Sequence, residues 1–415
     1  MRIAVVGSGI AGLASAWLLS PHHEVTLFEA QARLGGHTHT HAVHHEGRDF
    51  AVDSGFIVFN PTCYPLLCRL FEELRVETQP TTMSFSVQHA GSGLEYNAGT
   101  LDGLFCQRRN LLSPRFLGMV RGILRFYRES PALLQGEGPG PTLGDYLGEH
   151  GYSRGFIEDH IVPMACALWS SPAQQILRFP ARYLVQFMAN HRMLQVNERP
   201  PWRVVGGGSS RYVEAMQARW NVLVRLNAPV LAIRRDQAGV LIDSPGRTAE
   251  RFDRVVIACH GDDALRLLAD PDPAEREILG AIAYQRNETV LHTDATVLPR
   301  QRKAWAAWNA HVPAEADTPC TVSYCMNLLQ GLSSRDPFIV TLNRSAAIDP
   351  ARIIARMDYA HPVYSHASVA AQARRGEISG RRHTHYAGAY WGWGFHEDGM
   401  RSALAVAAEL GVHWR

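Results

Sequence analysis

"RIAVVGSGIAGLASAWLL" (residues 2–19) decides how the rest of the chain is read. A short apolar run, Ile3 to Val6, leads into Gly7, Gly9 and Gly12, and a helical pattern follows at once. This is the strand, glycine turn and helix order of a dinucleotide fingerprint. Gly7 permits the tight turn, Gly9 lets the backbone approach a diphosphate, and Gly12 lets helix and strand pack closely. Ile10 and Ala11 open the helix, whose unpaired N–H groups and dipole favour negative charge. A second apolar run, "EVTLFEA" (24–30), ends at Glu29 and Ala30. An acid at the end of the second strand bonds a ribose hydroxyl and disfavours a 2′-phosphate. Together these features predict an α/β fold of Rossmann type.

The bulk properties narrow the class. At 415 residues the chain is long enough for two domains with real cores. Apolar residues make up 46% and charged residues 19%, an ordinary soluble composition. A net charge of +2 gives no global electrostatic case for nucleic acid. The seven cysteines include no C-x-x-C pair and read as reduced thiols in a cytosol. The chain opens directly into a strand pattern, with no charged-then-apolar leader, and no apolar run reaches the length of a membrane span. A cytoplasmic protein is expected. "LQGEGPGPTLGDY" (134–146) is the clearest linker.

"RLGGHTHTHAVHH" (33–45) admits two readings. On a strand, His37, His39 and His41 share one face, and three imidazoles could ligate zinc. The glycines point elsewhere. "EAQARLGGHTHT" (29–40) resembles the second fingerprint of the flavin amine oxidase and phytoene desaturase-like superfamily: Glu, a few residues, Arg-x-Gly-Gly-Arg, then a Thr-rich strand. The resemblance implies FAD. It implies that Arg33 supplies charge to the phosphates, and that Gly35 and Gly36 let the backbone pass the diphosphate and ribityl chain, with Thr38 beyond them. His37 stands where the family usually has arginine, and a neutral imidazole can bond a phosphate or flavin oxygen. With the backbone there given to FAD, no metal is expected.

The resemblance continues along the chain. "FAVDSGFIVFN" (50–60) is similar to the family's Asp-x-Gly strand, which implies Ser54, Gly55 and Phe56 beside the flavin. Read alone, Ser54-Gly55 is a bulge or turn. "VLVRLNAPVLAIRRDQAGVLI" (222–242) reads as strand, turn, strand, and "FDRVVIACHGDDAL" (252–265) as a further strand. The family pattern implies that Val230 touches adenine. "WRVVGGGSSRYVEAM" (202–216) has consecutive glycines, so no second site, for NADPH, is expected. "YAGAYWGWGFHEDGMRSALAVAAELG" (386–411) resembles the superfamily's final segment. There a helix N-terminus faces the flavin's pyrimidine end, which implies His396, Glu397, Asp398, Gly399 and Met400. Asp398 is expected as N-cap of a helix over Met400 to Leu410. No cysteine follows Cys325 to make a cysteinyl–flavin bond, so FAD is expected to be noncovalent.

The expected architecture is a discontinuous Rossmann-type FAD-binding domain (1–60, 200–262, 380–415) with an α+β substrate-binding domain (61–199, 263–379), amine oxidase-like. "GFIVFN", "MSFSV", "MACALWSSP", "AWAAWN" and "YWGWGFHEDG" resemble a bacterial subgroup of flavoproteins associated with modification of membrane fatty acids. The nearest analogy is the methyl fatty acid desaturase of furan fatty acid synthesis. This implies an FAD-dependent oxidoreductase that desaturates a methyl-branched or unsaturated acyl chain of membrane phospholipid, by hydride transfer to flavin N5. Tyr390 and His396 are the nearest candidates for a base, and the electron acceptor is not legible. In "CQRRNLLSPRFLGMVRGILRFYRES" (106–130), Arg121, Arg125 and Arg128 fall on one helix face, which suits an anionic inner-membrane surface or a plain solvated face. Two other activities stay open. One is an amine oxidase, although the only lysine, Lys303, lies outside every flavin motif. The other is a flavin-dependent double-bond isomerase, which returns the hydride and needs no acceptor.

Overall fold

In the computed structural model, which describes residues 1–414 apart from 170, 199, 316 and 317, Arg2–Val6 is the middle strand of a five-stranded sheet. Its order is Val222–Arg225, Glu24–Phe28, Arg2–Val6, Arg254–Ile257, Thr384–Tyr386, and every pair is parallel. Such strands are covered on both faces, which is why "IAVV" is continuously apolar. The helix Ile10–Leu19 is buried on almost every side, with only Trp17 partly exposed. It shares one core with Pro65–Leu74 and His396–Glu409. Two glycines allow this crowding. A Cβ on Gly12 would stand 1.9 Å from the Gly7 carbonyl oxygen, and one on Gly399 would stand 2.6 Å from Ile10 Cγ2.

A second sheet of seven strands lies beyond the first. Its order is Ile353–Pro362, Tyr284–His292, Ile339–Leu342, Thr321–Cys325, Trp308–Val312, Phe85–His89, Leu94–Asn97. The last two strands form a hairpin within 83–97. Between 101 and 190 the described chain is mostly helical. Phe126, Phe156, Trp169, Phe179 and Phe187 fill one aromatic core there. All seven cysteines are free thiols. Among the described residues no helix is long and apolar enough to cross a membrane.

Three local expectations change. The strand after the paired glycines begins only at Thr40, because Gly35 and Gly36 turn the chain at positive φ and Thr38 N–H closes on the Gly35 carbonyl. His37 therefore does not share a strand face with His39 and His41. The final helix begins at His396, four residues earlier than expected, with Phe395 as N-cap and Asp398 inside its first turn. The stretch 106–130 is a 3-10 turn, Arg108–Leu112, followed by a helix, Pro114–Glu129.

One buried ion pair ties the two ends of the nucleotide layer. The Arg235 guanidinium donates to both carboxylate oxygens of Glu275, which also accepts from the Tyr386 hydroxyl (2.7 Å) and Asp272 N–H (2.8 Å). Removing Glu275 leaves the buried Arg235 guanidinium with only the partly exposed Asp270, at 3.0 Å, and leaves the Tyr386 hydroxyl without its acceptor. Glu275→Ala is expected to cost about 3 kcal/mol in urea unfolding. Glu277→Ala, which strips an exposed partner from Arg374, should leave the midpoint nearly unchanged. Equal effects would contradict the assignment.

Candidate active site

The site starts at the turn after the first strand. Gly7 N–H donates to the Phe28 carbonyl, and the backbone turns at φ +98. Gly9 caps the helix in extended conformation, and a Cβ there would meet nothing within 4 Å. The space over the helix N-terminus is therefore open to a ligand. The second glycine loop closes on the first. A Cβ on Gly36 would lie 2.9 Å from Gly9 Cα, and Gly35 N–H donates to the Ser8 carbonyl at 3.0 Å. Glu29 fastens the same turn by accepting from Ser8 N–H (3.0 Å) and Ser8 Oγ (2.5 Å). Ala30 is exposed beside it. Val230 is buried in the core that also holds Phe28.

Arg33 spends its N–H groups on the carbonyls of Gly36 (2.8 Å) and Thr38 (3.0 Å), so it braces the glycine loop from within. Burial holds its pKa below the usual arginine value. Among the described residues no carboxylate forms an ion pair with it, which leaves a cation for an incoming diphosphate. Gly55 packs on this loop, since a Cβ there would lie 2.0 Å from the His37 carbonyl oxygen. Ser54 Oγ bonds the Tyr359 hydroxyl and His41 Nε2, each at 2.8 Å.

Beyond the loop stands a wall of rings. The His37 ring lies 4.9 Å from Tyr359, 5.2 Å from His361 and 6.0 Å from His260. The His260 ring stacks on Tyr284 at 4.5 Å. His37, His260, His361 and Tyr284 each keep some accessible surface, so together they face a recess. Burial holds His37 well below its ordinary pKa, with His361, His260, His396 and Arg33 adding to the effect. Burial lowers His361 to about 4 and lowers His260 as well. The wall is thus polar but uncharged at neutral pH.

Other expected residues are drawn inward or away. His396 stacks on Phe56 at 3.6 Å, and its Nε2 meets Thr38 Oγ1 at 3.0 Å. Burial lowers it to about 3. Glu397 accepts the N–H groups of Leu66 and Leu67, each at 3.0 Å, and so caps a different helix, Pro65–Leu74. Asp398 accepts Phe395 N–H and pairs with Arg401. Met400 is core. The Tyr390 hydroxyl has no hydrogen-bond partner among the described residues, and burial pushes its pKa up. His39 and His41 stack at 3.9 Å, with their nitrogens on Tyr359 and Ser54 hydroxyls. No ion-sized gathering of ligand atoms includes them together with His37. His260, Tyr284, Tyr359 and His361 were not read from the sequence. Only His260 carried a signal, as the residue just beyond the C-terminal end of a parallel strand, where ligands of such sheets bind.

A glycine cradle on a parallel sheet, walled by a second sheet, defines a dinucleotide-binding flavoprotein fold. The comparisons agree. Residues 10–292, more than half of the chain, match the family described as flavin containing amine oxidoreductase, and the protein belongs to it. A Mycobacterium tuberculosis protein named as a flavin-containing monoamine oxidase, AofH, is 29% identical over 263 residues, 60% of this chain and 54% of that one. The chain thus spans about half the length of that relative. A protein from Exiguobacterium named as a protoporphyrinogen oxidase shares the fold at TM-score 0.70 and 18% identity, over 99% of both chains. A CLA-producing fatty acid isomerase from P. acnes does so at 0.69 and 16%, also over 99% of both. The cofactor is FAD. The open space at Gly9, the uncompensated Arg33 and the unpartnered His37 Nε2 all fit it.

Two outcomes follow from this geometry. The Cβ of a valine at Gly9 would meet nothing within 4 Å, and the local φ of −64 suits it, so the fold should survive. FAD occupancy should fall at least about tenfold, because the branched side chain fills the diphosphate space. Flavin content and circular dichroism of the purified variant check both halves. The second concerns pH. His37, His39, His361 and His396 all sit below their ordinary pKa of 6.5, so the unfolded chain takes up protons that the fold refuses. Their contribution is intact above that value and is lost as pH falls below it. Asp53 and Asp398, raised to about 6 by burial, act in the opposite sense, losing stability as pH rises from 3.8 through 6. The histidines are the larger set. The urea midpoint should drop between about pH 7 and about pH 5, and His361→Gln should make the drop shallower.

Proposed function

We propose that the protein is an FAD-dependent oxidoreductase of lipid acyl chains, desaturating a methyl-branched or unsaturated chain drawn from membrane phospholipid. The carrying observation is the uncharged wall of His37, His260, His361, Tyr284 and Tyr359. A cationic amine entering there would lose hydration, and the carboxylates it would meet, Asp262 and Asp263, gather only at the His260 end of the wall. Asp262 and Asp263 lie near His260, but Asp262 is exposed and Asp263 is paired with Arg266. Lys303 is exposed and paired with Asp102, so no lysine borders the cavity. That the fold also serves a fatty acid isomerase supports room for an acyl chain.

Bound FAD supplies an acceptor for the hydride that leaves the acyl carbon. The proton from the neighbouring carbon must pass to a base. Tyr390 and Tyr284 stay protonated, because burial raises both. His396 is engaged with Thr38 and Tyr212. His37 Nε2 is the atom fitted to the cofactor and burial disfavours its protonation, so none of these four groups is free to act as that base. The Asn287 amide donates to His361 Nδ1 at 2.8 Å, which places that ring's proton on Nε2 and orients it. Tyr390 stands 6.4 Å from the Tyr284 ring and 4.9 Å from Trp391, so aromatic rings flank that end of the wall.

The outer face of 101–134 supports access to a bilayer. Leu111, Leu112, Leu117, Leu124 and Leu134 are exposed there, with Arg121 exposed among them and Arg128, also exposed, pairing with Glu129 at 2.9 Å. Arg125 turns aside, pairing with Glu129 over the Tyr152 ring. Such a face suits an anionic surface near the inner membrane.

The test is anaerobic bleaching of the flavin band by liposomes carrying a methyl-branched or unsaturated lipid, at low and high salt. Bleaching by lipid, weakened by salt, is expected, with none from mono- or polyamines. Bleaching by an amine alone would assign an amine oxidase. Lipid conversion without bleaching or an external acceptor would assign an isomerase.

A further inference from the structure

A groove separate from the histidine cavity opens where the strands Tyr284–His292, Trp308–Val312, Thr321–Cys325 and Ile339–Leu342 come together. It holds about 370 Å3, and Gln285, His311, Cys320, Thr321, Asn343 and Arg344 line it. Its polar groups are underused. His311 Nδ1 and Thr321 Oγ1 are buried with no hydrogen-bond partner among the described residues. Arg344 is half-buried and donates to the Val297 carbonyl at 3.2 Å. No carboxylate among the described residues forms an ion pair with it. Loss of water alone holds its pKa below the usual arginine value. The other arginine of the groove, Arg286, is paired with Asp358 at 2.7 Å. The one described acid of the lining, Glu315, is exposed. An unpaired, partly desolvated guanidinium is costly, and an anion with two oxygens relieves it best, because the planar N–H fork matches carboxylate and phosphate.

The groove also borders the candidate active site. The amides of Gln285 and Asn343 both donate to Asn287 Oδ1, at 3.4 and 2.6 Å. Asn287 in turn donates to His361 Nδ1. One asparagine thus separates the lining of the groove from the ring wall. The Asn343 side of the groove is therefore one hydrogen-bonded asparagine away from that wall.

We propose that this groove is an anion site that seats the acidic head group of the substrate, a carboxylate or a phosphate, on Arg344, with Thr321 Oγ and the His311 ring completing its hydrogen bonds. The acyl part of this statement rests on the function proposed above, while the anion site does not.

The test measures binding to the FAD-loaded protein by calorimetry, using dodecanoate, dodecyl phosphate, dodecanol and dodecylamine. An anion is expected to bind at least about tenfold more tightly than dodecanol. A preference for dodecanoate would identify a free acid, and a preference for dodecyl phosphate a phospholipid. Arg344→Gln should abolish the anion preference with flavin content unchanged, and Arg344→Lys should retain most of it. If Arg344→Gln does not fold, Thr321→Val reads the same site, with anion affinity falling about threefold. Equal binding of anion and alcohol by the natural protein would overturn the proposal, as would an anion preference that survives Arg344→Gln. An Arg344-dependent preference without flavin bleaching by any acyl lipid would keep the anion site and remove the desaturase reading. Lipid bleaching with an Arg344→Gln protein unchanged in anion affinity would do the reverse.

Discussion

The approach of Gly36 to Gly9 governs this structure. Two backbone loops, one after the first strand and one after the second, meet with no side chain between them. Glu29 and Ser8 lock them from one side and Arg33 from the other. This contact leaves free N–H groups and one unpaired cation at the same spot. It also directs His37 out of the loop toward the second sheet, where Tyr359 and His361 receive it. A side chain larger than hydrogen at Gly36 would separate the loops and move the ring wall with them.

The electrostatic design follows from that placement. Buried rings give hydrogen bonds without net charge, while ion pairs such as Arg115 with Glu158 and Arg286 with Asp358 stay toward the surface. Asp53, like Glu275 with Arg235, departs from that pattern: it is a buried carboxylate that accepts from Ser209, Thr40 and Gln330. It joins the hairpin Thr40–His45/Arg48–Asp53 to the loop before Ser210–Gln217 and to Met326–Gln330. Its role is to assemble three segments rather than to meet substrate.

Much of the fold was legible because it is written in local pattern. Ile3 to Val6, the spaced glycines, Glu29 and the apolar strand ending near Ala258 each announce a Rossmann element within a few residues. The ring wall was not legible, because it is made of single residues brought together from loops and strands as distant as His37 and His361. A histidine on an antiparallel strand, such as His361, carries no mark of which face meets a cavity. Glu397 shows the same limit from the other side. Its position in a flavin-like motif suggested a cofactor contact, yet both its oxygens cap Pro65–Leu74. Only the tertiary arrangement places that helix end within its reach. The arginines of 106–130 misled in part for a related reason, since periodicity showed a face but not that Glu129 and Tyr152 would claim Arg125.

The interleaving of the central sheet has a consequence for how the chain is made. Arg2–Val6 is made long before its neighbour Arg254–Ile257, some 250 residues on, and Thr384–Tyr386 comes later still. The helix Ile10–Leu19, apolar on almost every side, has no complete cover until His396–Glu409 arrives. A growing chain must therefore carry that helix unsheltered through most of translation, the state in which aggregation competes best with folding. Slow closure is built into the topology, because its decisive contacts join distant positions. Chaperone holding of nascent chains, and rapid disposal of prematurely ended ones, are the cellular conditions under which such a cradle is reliably completed.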